Sequence, residues 1–401
     1  MRPLEGVFVV DLSRILSGPV CTMMLADMGA EVVKVEPPPS GDDSRLWGPP
    51  FVGGISTYFH SVNRNKKSIG LNLKTDAGRR ILWELISRAD VLVENFRPGV
   101  LENLGFGYDA VSRRNARLVY CSISGYGQTG PYRSKPGYDV VAQGESGLMD
   151  LTGYPDGAPA KVGTSIADIV AGMYAFQGIL LALLARQRTN RGQWVDISLL
   201  DSIVSALTYQ AMIYLMTARN PRRMGARHPS IVPYETFKAS DGYVNIGVTN
   251  QKQWMNFCGV LGFPELAADP RFETMDRRLE HYDALRQIIA PRLAAMSRSE
   301  VLSKMSEVGI PAGPINSVAE ILEDPQIHAR GMIQELTHPD YGPIRLLGIP
   351  VKLSDTPGVV EGPPPYFGEH NAAILSMLGY SKEDASRFLR DGVVACAPGC
   401  Q

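Results

Sequence analysis

Histidine and cysteine are scarce in this chain, and neither is arranged for metal or disulfide chemistry. The six histidines (His60, His228, His281, His328, His338 and His370) never stand at ligand spacing from one another or from a cysteine, and neither HExxH nor GxSxG occurs. A metallohydrolase and a serine hydrolase are therefore disfavoured, and no metal is expected. The five cysteines (Cys21, Cys121, Cys258, Cys396 and Cys400) are odd in number and scattered, which predicts reduced thiols in a cytoplasmic setting. The one close pair, Cys396 and Cys400, has no histidine near it, so zinc is not expected there. An excess of either charge is missing too. With 40 basic and 41 acidic residues the net charge is −1, so neither nucleic acid nor a membrane surface is an expected partner. No signal or transit segment is visible, because the opening MRPLEGVFVVDLS leads into a short strand. The longest apolar run, residues 169–185, contains Gln177 and two glycines and falls short of a bilayer span. It reads as a helix buried on most sides within a large domain. No internal repeat is present.

What the chain does have is length and alternation. At 401 residues and 44% hydrophobic content it can bury more than one core. Short apolar strands at 7–12, 31–36, 91–96 and 117–124 alternate with helical spacing at 18–30 and 75–88. That order predicts an α/β fold, a doubly wound, Rossmann-like parallel sheet covered by helices. Two long helices are expected near 166–187 and 196–218. The segment ETFKASDGYVNIGV (235–248) then reads as a hairpin turning at a DG pair. Helices come next near 251–261, 276–296 and 298–307, with 309–317 as a loop. The expected division is a large domain over 1–218, completed by 335–401, and a smaller α+β domain over 225–330.

Four stretches bear on chemistry. Asp168 lies in the first turn of the helix TSIADIVAG, after Thr164 and Ser165. An acid there suits the positive end of a helix dipole, and a reacting carboxylate would occupy the same place; the stretch alone leaves both readings open. The loop 125-GYGQTG-130 matches GxGxxG after a strand, but Pro131 and Pro136 prevent the immediate helix that a dinucleotide site requires. The basic run 63-NRNKKSIGLNLK-74 puts Arg64, Lys66, Lys67 and Lys74 around a strand-like segment, suited to phosphates or simply to solvent. In 95-NFRPG-99, at the end of a buried strand, Phe96 could stack an adenine and Arg97 could meet a phosphate.

Taken together, PLEGVFVVDLSRILSGPVCTMMLADMGAEVVKVE, NRNKKSIGLNLK, VENFRPG, TSIADIVAG, RGQWVDISLLD and FGEH resemble the class III CoA-transferases, the family of formyl-CoA and carnitine CoA-transferases. The similarity extends over essentially the whole chain. It implies that Asp168 is a catalytic nucleophile, carrying CoA through mixed-anhydride and aspartyl-CoA thioester intermediates, with a CoA thioester as substrate and no prosthetic group. It implies CoA contacts at Ile15 and Leu16, at Leu71, Asn72, Leu73 and Lys74, at Asn95, Phe96 and Arg97, and around Tyr138 and Asp139. It also implies a homodimer in which each chain threads through the other. Leu16, Pro37 and Asn103 depart from the formyl-CoA branch, which leaves Arg64, Lys67 or Arg97 to hold phosphates.

The family also includes α-methylacyl-CoA racemases, which carry a histidine in the segment matching GYDVVAQ. This chain has Tyr138 there, and a phenol with a pKa near ~10 is a poor base at neutral pH. That isomerase is the alternative reading. The formyl-CoA branch's glycine-rich flap is absent between 225 and 250, which argues against oxalate. GDDSRLWGPPFVGGISTYFHSVNRNKKSI, YCSISGYGQTGP and HPSIVPYETFKASDGY look most like the succinate–hydroxymethylglutarate CoA-transferases, implying succinyl-CoA and dicarboxylates of four to six carbons. Arg227 and His228 are candidates for the distal carboxylate.

Overall fold

A computed structural model describes residues 1–338, 340 and 342–398. The chain divides into two compact units. The larger holds Met1–Leu148, Lys161–Thr217 and the described residues from Pro325 onward; the smaller holds Met149–Ala160 and Ala218–Asp324.

The larger unit is built on six parallel strands: β1 (Phe8–Asp11), β2 (Glu31–Glu36), β3 (Lys66–Leu71), β4 (Val91–Glu94), β5 (Val119–Ser124) and β6 (Trp194–Ser198). They are ordered β3-β2-β1-β4-β5-β6, and the strand Val394–Ala395 runs antiparallel along β3 as a seventh. Alternate side chains feed opposite cores. Val9, Val32, Val91 and Cys121 join one cluster, while Val10, Val33, Leu92 and Tyr120 join the other. Burial on both faces is why these strands read as continuous apolar runs. The doubly wound parallel sheet expected from the alternation is present.

The helices of this unit include α1 (Ser17–Asp27), α2 (Asp76–Arg88), α3 (Asp139–Glu145), α4 (Ile166–Thr189), α5 (Leu199–Ala206) and α6 (Tyr209–Thr217). Helix α2 starts where the Thr75 hydroxyl accepts the Gly78 N–H at 3.0 Å, and it buries Ile81, Leu82, Leu85 and Ile86 as its spacing predicts. Helices α1 and α4 meet through small residues. A Cβ on Gly172 would lie 2.6 Å from the Ser17 carbonyl oxygen, so only glycine permits this approach.

The structure corrects two sequence expectations here. Helix α4 is not buried on most sides. Its alanines Ala167, Ala171, Ala175 and Ala182 are buried, while Leu181 is 66% and Leu184 52% exposed. By length and composition alone α4 would also suit a membrane span. The helix expected over 196–218 is instead the edge strand β6 followed by α5 and α6, which are bent by 79° at the break between them. The β-branched and aromatic WVDIS finds a parallel partner in β5, Tyr120 opposite Trp194 and Ser124 opposite Ser198. That pairing overrides the helical pattern.

In the smaller unit β7 (Tyr234–Ala239) and β8 (Gly242–Gly247) form the expected hairpin, turning at Ser240 and Asp241. The strand β9 (Ala312–Pro314), inside the segment expected to be a loop, pairs along β8. Helices Gln251–Leu261 and Tyr282–Ala294 pack Trp254, Phe257, Leu285 and Leu293 into its core. The helix expected over 276–296 is interrupted at His281.

Cys21, Cys121 and Cys258 are free thiols, and Cys400 lies outside the described residues. Among the described residues no group of histidine, cysteine or carboxylate side chains is placed to hold a metal.

Candidate active site

Strand order determines where a ligand can enter. From β1 the sheet extends one way through β2 and the other way through β4, so the loops after β1 and β4 diverge and leave a crevice at the strands' carboxyl ends. Asn95 joins these two loops. Its Oδ1 accepts the Arg14 N–H at 2.8 Å, and its Nδ2 donates to the Arg14 carbonyl at 2.7 Å. Glu94 shapes the same turn by accepting the Phe96 N–H at 2.8 Å. A third wall comes from the glycine-rich loop after β5. A Cβ on Gly125 would lie 2.8 Å from the Gly137 Cα, so two backbones touch where the loop passes Tyr138.

The cavity between these loops is lined by Ile15, Leu16, Asn95, Phe96, Arg97 and Tyr138, with Asp168 among them. Asp168 stands in the first turn of α4, whose Ser165 N-cap makes no side-chain capping bond. A residue distant in sequence satisfies part of that helix end: Asp139 Oδ1 accepts the Ala167 N–H at 2.8 Å, and Gln143 Nε2 donates to its Oδ2 at 2.7 Å. Asp168 therefore shares its helix start with a second carboxylate. Desolvation, and then the charge of Asp139, push its carboxyl up to about 7, while a hydrogen bond from the Ser17 hydroxyl opposes the shift. A cap residue would gain nothing from this environment. A carboxylate that must shed water to attack a carbonyl is served by it.

Several site residues were invisible in the sequence. Tyr58 packs with Ile15 and Leu16. Burial, followed by the charges of Asp168 and Asp139, raises its phenol to about 12, so it stays a neutral donor near the carboxylate. Arg14 and Lys135 also line the cavity. Only the path of the backbone brings these three to the site, and no motif marks them.

The other candidates are distributed unevenly. Leu71 is buried in the core, Asn72 donates to the Gly392 carbonyl at 3.1 Å, and Leu73 and Lys74 come next at the carboxyl end of β3. None of the four lines the Asp168 cavity. The guanidinium of Arg14 lies 5.1 Å from the centre of the Phe96 ring, so a cation occupies a face the sequence offered to adenine. Arg97 is exposed.

The basic run is corrected in part. Arg64 is buried against Asp27, donating from Nε at 2.9 Å and from Nη2 at 2.6 Å, and Lys66 is buried against Asp11 at 3.2 Å. Lys67 pairs with Glu31 at 2.7 Å at the opposite, amino-terminal edge of the sheet. Arg64 is buried in its ion pair and not available to phosphates, whereas Lys67 is exposed in a surface pair. A larger cavity, about 420 Å³, lies between His60, Arg64 and the strand Gly342–Leu347, and its lining contains no carboxylate to carry an acyl group.

In the smaller unit Arg227 stacks on Tyr282, 3.5 Å from the ring centre, and the Tyr282 hydroxyl donates to Glu235 at 2.9 Å. His228 Nδ1 accepts the Ser230 N–H at 3.1 Å.

The sheet has a crevice at its switch point that Asp168 lines, and the chain is similar to known proteins. Residues 4–371 match CoA-transferase family III. The chain is 43% identical over 395 residues to mouse succinyl-CoA:glutarate CoA-transferase, covering 98% of this chain and 91% of that protein. It is 42% identical over 374 residues to acetyl-CoA:oxalate CoA-transferase of Acetobacter aceti, covering 93% and 95% of the two chains. A CaiB/BaiF family protein from Brucella suis superposes with a TM-score of 0.85 at 42% identity, over 94% of this chain and 99% of that one. The chain belongs to CoA-transferase family III and is a CoA-transferase.

Proposed function

We propose that the enzyme moves CoA from succinyl-CoA to a free dicarboxylate of four to six carbons, with Asp168 as the covalent carrier. The observation that carries this reading is the Asp168 carboxyl, desolvated beside Asp139 in a cavity open between the β1 and β4 loops. The Asp168 carboxylate attacks the thioester carbonyl and CoA leaves as thiolate, giving a mixed anhydride. The thiolate then attacks the aspartyl carbonyl, forming the aspartyl-CoA thioester and releasing the donor acid. The acceptor carboxylate attacks that thioester, CoA departs again, and its return to the new acyl group frees Asp168. Each thioester replaces another of similar energy, so no nucleotide is consumed. Ser17 and the neutral Tyr58 are the donors nearest the charge that changes.

The four- to six-carbon range is supported by the segments that look like succinate–hydroxymethylglutarate CoA-transferases and by the mouse relative's name. Arg227, stacked on Tyr282, and His228 are our candidates for the distal carboxylate. Leu71 to Lys74 are read as contacts for the far end of CoA, and Arg97 as its phosphate contact. We further read the exposed apolar face of α4 and α6, with Leu181, Leu184, Leu215 and Met216, as a surface covered in a homodimer. The reduced thiols fit a cytoplasmic enzyme.

Incubating the enzyme with succinyl-CoA and a panel of acids from oxalate to adipate, read by mass spectrometry of the CoA products, tests the substrate assignment. Glutarate or a hydroxylated relative is expected to give the largest kcat/KM. Transfer to oxalate alone would overturn the chain-length assignment. Exchange of the α-proton with solvent deuterium in the absence of transfer would favour the racemase. Arg97→Ala is expected to weaken CoA binding by about 1.5–3 kcal/mol in calorimetry.

A further inference from the structure

Ser17 lines the same cavity as Asp168, so the path of the chain into Ser17 bears on the reaction. Two residues earlier, Ile15 adopts φ +69°, a left-handed conformation that a β-branched residue rarely takes. Its side chain packs beside Leu16, Val20 and Val62, which explains an apolar residue there but not the backbone. The backbone is held from both sides by one buried ion pair. Ile15 N–H donates to the two carboxylate oxygens of Asp42 at 3.1 and 3.2 Å. Lys34 Nζ pairs with Asp42 at 2.8 Å and donates to the Ser13 carbonyl, also at 2.8 Å. Both side chains have no exposed surface. Asp42 is held in turn by the Ser44 N–H at 2.9 Å and the Ser44 hydroxyl at 2.7 Å. The chain thus rises over a clamp whose two ends grip Ser13 and Ile15.

We infer that the Lys34–Asp42 pair is a positioning device for the transfer reaction: it holds Ile15 in its left-handed conformation so that Ser17 stands at the cavity that Asp168 lines. A pair serving only stability would need no strained residue at one of its two contacts. The inference rests on Asp168 being the carrier, and the two ideas fail differently.

The test couples Asp42 to the strain it is proposed to hold. Asp42→Asn keeps the size of the side chain but loses a charged acceptor, and kcat is expected to fall about 10- to 100-fold, a cost typical of a small misplacement. The KM for succinyl-CoA should move much less. Glycine enters positive φ freely, so adding Ile15→Gly to Asp42→Asn should recover most of the lost kcat. A merely structural pair predicts instead that lost activity tracks the unfolded fraction and that glycine restores nothing; that result, or wild-type kcat in folded Asp42→Asn, overturns the inference. If Asp42→Asn does not fold, Ser44→Ala with and without Ile15→Gly decides in the same way. There a lowered kcat restored by glycine supports the clamp, and an unchanged kcat overturns it. Hydroxylamine capture separates the two ideas. Wild type without an Asp168 adduct sinks the carrier reading, whereas an adduct that forms equally fast in Asp42→Asn sinks the clamp alone.

Discussion

Two groups of carboxylates, buried in one and buried or half-buried in the other, flank the carboxyl ends of the same sheet, and they titrate in opposite directions. Burial pushes all of them upward. In Asp11, Glu36 and Asp42 that push is outweighed by Lys66, Arg45 and Lys34 respectively, and the three carboxyls are held below the ordinary carboxylate range. Asp168 and Glu94 have no such cation, and both rise to about 7. Burial alone therefore does not make an acid reactive. At this end of the sheet the absence of a counterion sets the second group apart: Arg14, Arg97 and Lys135 line the cavity, yet none of them offsets the rise of Asp168. The ion-paired group supports the loops, and the unpaired group is free to react.

The largest expected effect falls on the unpaired side. Asp168→Ala should lower turnover by roughly 10⁴-fold or more while leaving fold and CoA affinity intact, as circular dichroism and calorimetry would show. A cap residue would cost only about 0.5–2 kcal/mol of stability and leave the folded fraction active. The pH dependence comes from the raised value. The carboxylate is the attacking form, so kcat/KM should fall about tenfold per pH unit below about 7 and level off above it. A plateau continuing down to pH 5 would mean that Asp168 is solvated and ordinary.

The next effect falls on the paired side. Lys34→Met leaves Asp42 buried without its nearest cation, and a loss of about 3–5 kcal/mol in urea unfolding is expected. A neutral result would remove the basis for contrasting the two groups.

Glu94 gives the smallest effect, and it has the opposite sign. Its folded value of about 7 lies above the ordinary value of 4.5, so the stability linked to its protonated form is present below about 4.5 and lost as pH rises through about 7. Glu94→Gln removes the titration and should be more stable than wild type at pH 8, by roughly 1–3 kcal/mol, with the gain vanishing near pH 4. If wild type and variant keep one constant difference across that range, Glu94 has a partner that the contrast overlooks.

The sequence carried the local periodicities far. β2 and the helix Gln251–Leu261 run over the residues their patterns mark, and α2 buries the four residues its spacing selects. The family could be read because several motifs stand in the right order, and the family match agrees. β6 was not legible, since WVDIS becomes a strand only where β5 stands open beside it. Nor could the exposed side of α4 be told from its buried side, because an apolar residue carries no mark of whether a partner covers it.

What periodicity and composition could decide was whatever depends on neighbours along the chain: helix, strand and turn, while the family was read from the resemblance of its motifs. What they could not decide was the fate of each charge. Arg64 looked like a phosphate ligand until Asp27, 37 positions away, was seen to hold it, and Asp168 looked like a helix-start acid until Asp139, 28 positions before Ala167, was found capping the same helix. A charge takes its energy from the partners and the solvent that folding leaves around it. Those are settled in three dimensions, where residues far apart in sequence come within a few ångströms.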